Sequence, residues 1–356
     1  MRRKNLWVFV ILVLALSGLT QITMAGCAGS PSNNTAGSET VISADKPIEL
    51  KFSDFCTPDM TIGRVLREFA DRVEKNSAGR IKLTLYYGES LASMQDNFKA
   101  VQCGIADMGS YNVSSSPGAQ ELSRVTQLPF LGFTSYEQAN WVFEQLWDEY
   151  PSIRAEWPGL EVLGVRHEPA IQFHFTEQPV QIPQDMKDMN IVSMPVWEDF
   201  LNSIGAATIN VGVGDWYRSL ARGMAQGLPT HFTAVYALKL SDLFKYHTMF
   251  SGIGCATNPE VFLVNQTTWN KLSPDLQQVI REAVEWRVEE ITRLDNETDQ
   301  ESINYAKAKG DEFIYITPEG TKLWQDVAKK AIYQGWIAKY TARGPTQEIY
   351  DETIRL

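Results

Sequence analysis

Apolar residues alternate with polar ones at Ile48, Leu50 and Phe52, then fall at helical spacing at Ile62, Val65, Leu66, Phe69, Ala70 and Val73, and alternate again at Ile81, Leu83 and Leu85. A period of two, then 3.6, then two predicts strand, helix, strand. Further short strand signals follow at 161–165, 171–175, 190–193, 207–211, 260–264 and 313–316, with helical stretches between most of them. Without internal repeats or low-complexity segments from Ile48 onward, this order predicts an α/β fold. Ser273-Pro274-Asp275 reads as an N-cap followed by proline at the first helical position, and neither Gly nor Pro recurs until Gly310. Leu276, Val279, Ile280, Ala283 and Val284 supply an apolar stripe, so the pattern predicts a helix that either bridges two lobes or breaks near Asn296.

The first residues follow another logic. Arg2, Arg3 and Lys4 precede an apolar run from Leu6 to Leu16, and small residues follow at Ala25, Gly26 and Cys27. This is the layout of a secretory signal peptide, and the run is too short for a membrane span. Met24-Ala25-Gly26-Cys27 resembles a lipoprotein processing signal with Met24 where Leu is usual, which would remove residues 1–26 and leave Cys27 lipidated. A cut after Ala28 is the alternative. Residues 27–46 are rich in small polar types from Gly29 to Thr40 and suit a flexible tether.

With 356 residues, 44% hydrophobic and 21% charged, the chain has room for two packed lobes, and a disordered or fibrous protein is excluded. The formal net charge is -11. Loss of the leader removes three basic groups and no acidic one, giving -14, and no basic run lies outside the first four residues. A nucleic-acid partner is therefore not expected. If Cys27 is lipidated, Cys56, Cys103 and Cys255 remain, an odd number without metal-ligand spacing. They allow one disulfide at most within the chain, or buried free thiols.

Catalytic chemistry finds little purchase. His167, His174, His231 and His247 form no metalloprotease arrangement, and no nucleophile elbow, phosphate loop or dinucleotide fingerprint occurs; Gly212-Val213-Gly214 lacks its third glycine. No metal, cofactor or enzymatic activity is expected. Glu285, Glu289 and Glu290 read as the wet face of a helix. Trp197 and Trp216 stand out because each sits beside Pro, Gly or Asp at a loop-to-helix junction, where an aromatic ring can face a cleft.

Several segments together carry a family resemblance: Leu50-Lys51-Phe52 and Ala78-Gly79-Arg80-Ile81-Lys82-Leu83; Val101-Gln102-Cys103-Gly104-Ile105-Ala106-Asp107-Met108; Leu128-Pro129-Phe130-Leu131; Pro183-Gln184-Asp185-Met186-Lys187; Tyr217-Arg218-Ser219-Leu220; and Val261-Phe262-Leu263-Val264-Asn265 leading to Leu272-Ser273-Pro274. In order and spacing, from about Pro47 to Gly344, they resemble the substrate-binding subunits of tripartite ATP-independent periplasmic (TRAP) transporters of the C4-dicarboxylate-binding type. The resemblance implies a two-lobed periplasmic binding protein that closes on a small organic solute and delivers it to a membrane permease pair driven by an ion gradient; the lipoprotein signal would anchor it through Cys27. Lobe one would comprise 47–169 with part of 258–296, and lobe two 170–257 with 297–356. Strands 171–175 and 260–264 would cross between them, and the long helix would span both. A receptor presenting its ligand to a membrane sensor is one alternative, and an exported enzyme on the same fold is another.

The resemblance also places residues in the cleft: Phe55, Cys56, Ser110, Tyr111, Asn112, Gln172, Val192, Trp197, Val213, Trp216, Thr230 and His231. The chain departs from the family where the ligand carboxylate is usually clamped. The strand Asn190-Ile191-Val192-Ser193-Met194-Pro195 holds Val192 where the family has Arg, and a second frequent Arg aligns with Ile171 or Gln172. Gln226-Gly227-Leu228-Pro229-Thr230 replaces the usual Asp-Gly-Gln-Glu-Asn. A buried carboxylate would then need Arg166 or Arg218, or neutral donors and backbone amides. The apolar and aromatic character of the implied cleft favours a solute with an aromatic or apolar body.

Overall fold

The computed structural model describes residues 46–356 apart from residue 117; the leader, Cys27 and nearly all of the tether lie outside the described residues. Eleven strands occur among them: β1 (Ile48–Ser53), β2 (Ile81–Tyr86), β3 (Met108–Asn112), β4 (Leu160–His167), β5 (Gln172–Phe175), β6 (Asn190–Val192), β7 (Ala207–Ile209), β8 (Gly227–Thr230), β9 (Tyr246–Met249), β10 (Pro259–Asn265) and β11 (Glu312–Tyr315). They form two sheets, β2-β1-β3-β10-β4 in lobe one and β11-β9-β5-β8-β6-β7 in lobe two. In each, a parallel group (β1 to β3; β6 to β8) meets an antiparallel strand that arrives from the other lobe's side of the chain.

β10 shows why the lobe-one sheet is buried on both faces. Its run is continuously apolar from Val261 to Val264, as a central strand with two covered faces requires. Phe262 and Val264 pack with Leu276, Ile280 and Val284 of the long helix, whereas Val261 and Leu263 pack with Phe98, Tyr111 and Trp157 on the opposite side. Lobe two is built around rings: Trp197 lies 5.2 Å from Phe173 and 6.1 Å from Phe130, edge to face, and Phe200 stacks on Trp324 at 6.0 Å.

The helix from Ser273 does not break near Asn296. It runs unbroken from Pro274 to Lys309, and its 36 residues span about 54 Å. Its inward stripe begins apolar with Ile280 and Val284 on lobe one, then carries Arg287, Ile291 and Asp295, and ends with Ser302 and Ala306 on lobe two. A helix of this length is held in register by contacts to both sheets, so it is the interlobe helix. The C-terminal helices do not stay with lobe two alone. The Trp336 Nε1–H donates to the Glu121 carbonyl at 3.1 Å, the Gln325 amide donates to the Phe130 carbonyl at 3.1 Å, and Arg343 reaches the Gly118 and Ala119 carbonyls at 2.6 Å. Residues 118–130 are thus clasped from the far end of the chain. Among the described residues, no helix is long and apolar enough to cross a membrane.

The chain passes between the sheets at β4 to β5, at β9 to β10 and along the interlobe helix. At the first two passages the strands touch: the Cys255 N–H donates to the Ile171 carbonyl and the Ile171 N–H to the Ala256 carbonyl, both at 2.9 Å. Gly254 makes this possible with φ +77°, and a Cβ there would fall 2.3 Å from the Ile171 oxygen. Gly254→Ala should therefore cost at least about 2 kcal/mol, whereas Gly212→Ala, with open space and an ordinary φ, should change stability by less than about 0.5 kcal/mol. Urea unfolding of both variants measures the difference, and equal losses would show that the crossing tolerates a side chain.

Candidate functional site

Toward the carboxyl edge of lobe one, the face that packs on the interlobe helix changes from apolar to charged. Along β3 it reads Met108, Ser110, Asn112, and along β10, read backwards, Val264, Phe262, Glu260; in register, Phe262 opposes Ser110, and Glu260 opposes both Asn112 and Arg166. Strand alternation alone thus collects polar groups at one edge. Open α/β sheets bind ligands beyond such carboxyl ends.

Arg166 is buried at this edge. Its Nε donates to Glu260 Oε2 at 2.6 Å and its Nη1 to Asp295 Oδ2 of the interlobe helix at 3.0 Å. Burial opposes its charge, and Glu260 and Asp295 override that to hold it above its ordinary pKa. Glu168, just beyond β4, accepts from the amides of Asn112 at 2.7 Å and Asn258 at 2.9 Å, and the Gln127 amide orients Asn258 at 2.8 Å. Burial raises the Glu168 pKa, against the pull of Arg166. Deeper in lobe one, Arg287 pairs with Asp54 at 3.2 Å, donates to Ser110 Oγ at 3.1 Å and lies over the Phe262 ring at 4.4 Å.

Across the junction, one helical turn beyond Asp295, Asp299 Oδ1 accepts from the Thr233 N–H at 2.7 Å and its hydroxyl at 2.6 Å, and Ser302 donates to the Phe232 carbonyl at 2.9 Å. Burial pushes both Asp295 and Asp299 up to about 6, with Arg166 opposing it for the first and Thr233 for the second. His231 caps the Phe232–Ala237 helix by accepting the Ala234 N–H on Nδ1 at 3.0 Å. Burial, reinforced by the charge of Arg166, lowers its pKa to about 4. An imidazole that is neutral and accepts on Nδ1 carries its hydrogen on Nε2.

The structure brings Asn112, Arg166, Gln172, Thr230 and His231 to this junction, with Gln172 and Thr230 paired in register. The Gln172 amide already bonds the Phe250 backbone, at 2.8 and 3.4 Å. Phe55 is half-buried in the loop after β1, beside the fully buried Cys56 thiol; Cys255 is likewise free and buried. Ser110 lies beneath the edge, on the Asp54 and Arg287 pair. Other expected cleft residues go elsewhere. Tyr111 turns to the opposite face, where it packs on Phe98 and Trp157 and bonds Gln120. Trp197 is enclosed by the rings of Phe130, Phe173 and Phe200 because a bulky ring at the start of that helix fills the lobe-two core. Val192 and Trp216 sit together in a second lobe-two core cluster. Val213 is 53% exposed, and Arg218 lies on the surface paired with Asp215 at 3.2 Å.

The junction residues that sequence reasoning passed over are Glu168, Asn258, Glu260, Asp295 and Asp299. A glutamate inside the apolar strand Pro259–Asn265 was a visible signal, as was an aspartate on the inward stripe of the long helix. Among the described residues, no group of three or more His, Cys, Asp and Glu side chains is arranged to hold a metal ion.

Because Asp299 titrates near 6 in the folded chain and near 3.8 when unfolded, the folded state holds its proton more tightly, and its ionisation costs stability above pH 6. Asp299→Asn keeps the acceptor for Thr233 and removes the charge. It should be more stable than the natural chain by roughly 1–3 kcal/mol at pH 8, with the difference vanishing as pH falls toward 4. Denaturant unfolding across this range measures it, and a pH-independent difference would refute the assignment.

Comparison with known proteins places this geometry. The model of the family described as bacterial extracellular solute-binding protein, family 7, matches residues 52–339. The C4-dicarboxylate-binding periplasmic protein DctP of Rhodobacter capsulatus is 22% identical over 288 residues, 79% of this chain and 84% of that one. A TRAP periplasmic solute-binding protein from Desulfovibrio salexigens superposes with a TM-score of 0.76 at 23% identity, covering 87% of this chain and 95% of that one. A marine metagenome TRAP solute-binding protein specific for aromatic acid ligands, solved with 3-hydroxybenzoate, gives 0.75 at 19% identity, covering 87% and 97%. The fold is that of two-lobed TRAP periplasmic binding proteins, and by the extent of the family match the chain belongs to the bacterial extracellular solute-binding proteins of family 7.

Proposed function

We propose that this chain is the extracytoplasmic receptor of a TRAP transporter, which captures a small organic solute between its lobes and delivers it to a membrane permease. The observation that carries the reading is the junction itself. Two sheets meet at their carboxyl edges over buried polar groups, and the segments that join them include a single helix anchored to lobe one at Asp295 and to lobe two at Asp299. Such an arrangement lets two rigid lobes close about one pivot while keeping the polar floor intact. The family match and relatives named for solute binding support a reading in which the solute is bound and released unchanged. Export into the periplasm and anchoring through a lipidated Cys27 complete the proposal, because a receptor held at the membrane surface meets its permease by two-dimensional search. A marine metagenome TRAP solute-binding protein of similar fold, solved with 3-hydroxybenzoate, supports a solute with an aromatic or apolar body.

Native mass spectrometry of protein purified from cells tests the reading. A small-molecule adduct should be present and be lost on denaturation, and adding the released compound back should raise the unfolding midpoint. A protein that carries no adduct, and whose unfolding is shifted by none of a panel of organic acids, amines, sugars and polyols, would refute it.

A further inference from the structure

The C-terminal helices, residues 118–128 and residues 196–199 after β6 do not close completely on one another. They leave a crevice of about 640 Å³, a size usual for small-molecule sites. None of the residues that the family resemblance places in the cleft lines it, so it is a separate place in the fold. Its inner surface is well enclosed: Gln127, Leu128, Ile332 and Trp336 are each at most 8% exposed.

The walls are fixed by their own bonds. The Trp336 Nε1–H is spent on the Glu121 carbonyl at 3.1 Å, the Tyr333 hydroxyl donates to the Pro129 carbonyl, and the Gln127 amide donates to Asn258 at 2.8 Å. Ile332 belongs to a π turn, Lys329–Tyr333, that interrupts the α-helix between Ala328 and Gln334. Such turns are rare and concentrate at functional sites.

Charge in the crevice has a definite sign. Arg124, Lys339 and Arg343 line it against Glu121 and the exposed Asp199. Glu121 is buried and already accepts from the Gly118 N–H at 2.5 Å and from Arg124 Nη1 at 3.1 Å. Arg343 spends both terminal nitrogens on the Gly118 and Ala119 carbonyls. Two groups keep donors. Arg124 holds Gln127 through Nε, and its Nη2 has no bond among the described residues; Lys339 forms no ion pair among them and lies over the Tyr340 ring at 5.2 Å. A surplus of one positive charge beside an apolar wall suits a monoanion with an apolar body. A phosphate dianion would exceed that surplus, and a cation would face donors of its own sign.

We propose that this crevice is a second binding site, for an organic monocarboxylate whose charge is held by Lys339 and Arg124 Nη2 and whose apolar body lies against Leu128, Ile332 and Trp336. It is independent of the cleft between the lobes and of the receptor reading. A solute seated there touches residues 118–128, residues 196–199 and the C-terminal helices at once.

Photolabelling of the mature chain with 4-benzoylbenzoate, a carboxylate on a photoreactive diaryl ketone, tests the proposal. Peptide mass mapping locates the adduct, and 4-benzoylbenzyl alcohol is the uncharged control. Label should fall within 121–128 or 332–343, saturate with probe concentration, and need at least about fivefold more of the alcohol for the same yield. Lys339→Gln, at an exposed position, should weaken labelling by the acid at least about fivefold, while Lys339→Arg keeps it within about twofold. Benzoate should displace the label at lower concentration than phenyl phosphate. Label absent from the crevice or failing to saturate there, equal labelling by the alcohol, Lys339→Gln labelled like the natural chain, or better displacement by phenyl phosphate would overturn the proposal. A solute adduct in the purified protein together with an unlabelled crevice would overturn this site alone and leave the receptor reading standing.

Discussion

The Arg166 guanidinium holds three parts of the molecule to one point. A buried charge of this kind is costly unless neutralised and hydrogen-bonded, and here Glu260 and Asp295 do both. One partner lies on the adjacent strand and the other on the interlobe helix, so the same contact that makes the arginine tolerable fixes the helix to lobe one. One turn later Asp299 and Ser302 bond Thr233 and Phe232, which fix the helix to lobe two. The connections between the two sheets are thereby the helical turn between 295 and 299 and the crossings near 168–171 and 250–258. Beyond those segments, the stacked rings of lobe two and the double-faced β10 of lobe one make each side a rigid body.

The cost of this device appears as protonation. Burial depresses the histidines, with His167 down to about 3 and His231 and His247 to about 4, and raises Asp295 and Asp299 to about 6. The two sets act in opposite directions on stability. The histidines favour the folded chain above their unfolded pKa and oppose it as pH falls, while the aspartates become less costly over the same range. Near neutrality the junction is therefore poised: its imidazoles are neutral, and two of its carboxylates are close to taking up protons.

Much of this architecture was legible in periodicity. Strand and helix alternation pointed to the class, and the Gly- and Pro-free run after Pro274 to a long helix, whose continuity past Asn296 the pattern left open and the family resemblance implied. β8 and β9 were missed, since Gly227-Leu228-Pro229-Thr230 reads as a turn and Tyr246–Met249 is four residues with no apolar alternation. The site was less legible for a different reason. Arg166 meets Glu260 94 residues away and Asp295 129 residues away, and no local pattern encodes such a pairing. Trp197 and Trp216 were expected to face a cleft because each sits beside Pro, Gly or Asp at a loop-to-helix junction, whereas both rings are buried in lobe-two core clusters.

The departures from the family pattern and the charges of the junction belong to one physical account. The positions where the family resemblance implies arginine are Val192, buried in a lobe-two core cluster, and Ile171 or Gln172 at the first crossing. Without arginine at these positions, the buried acids are offset by Arg166, which has donors directed to Glu260 and Asp295, and by Arg287, which pairs with Asp54. A missing arginine is therefore read together with the ion pairs that stay in place around it, because each buried charge of the junction is tolerated only through its own partner.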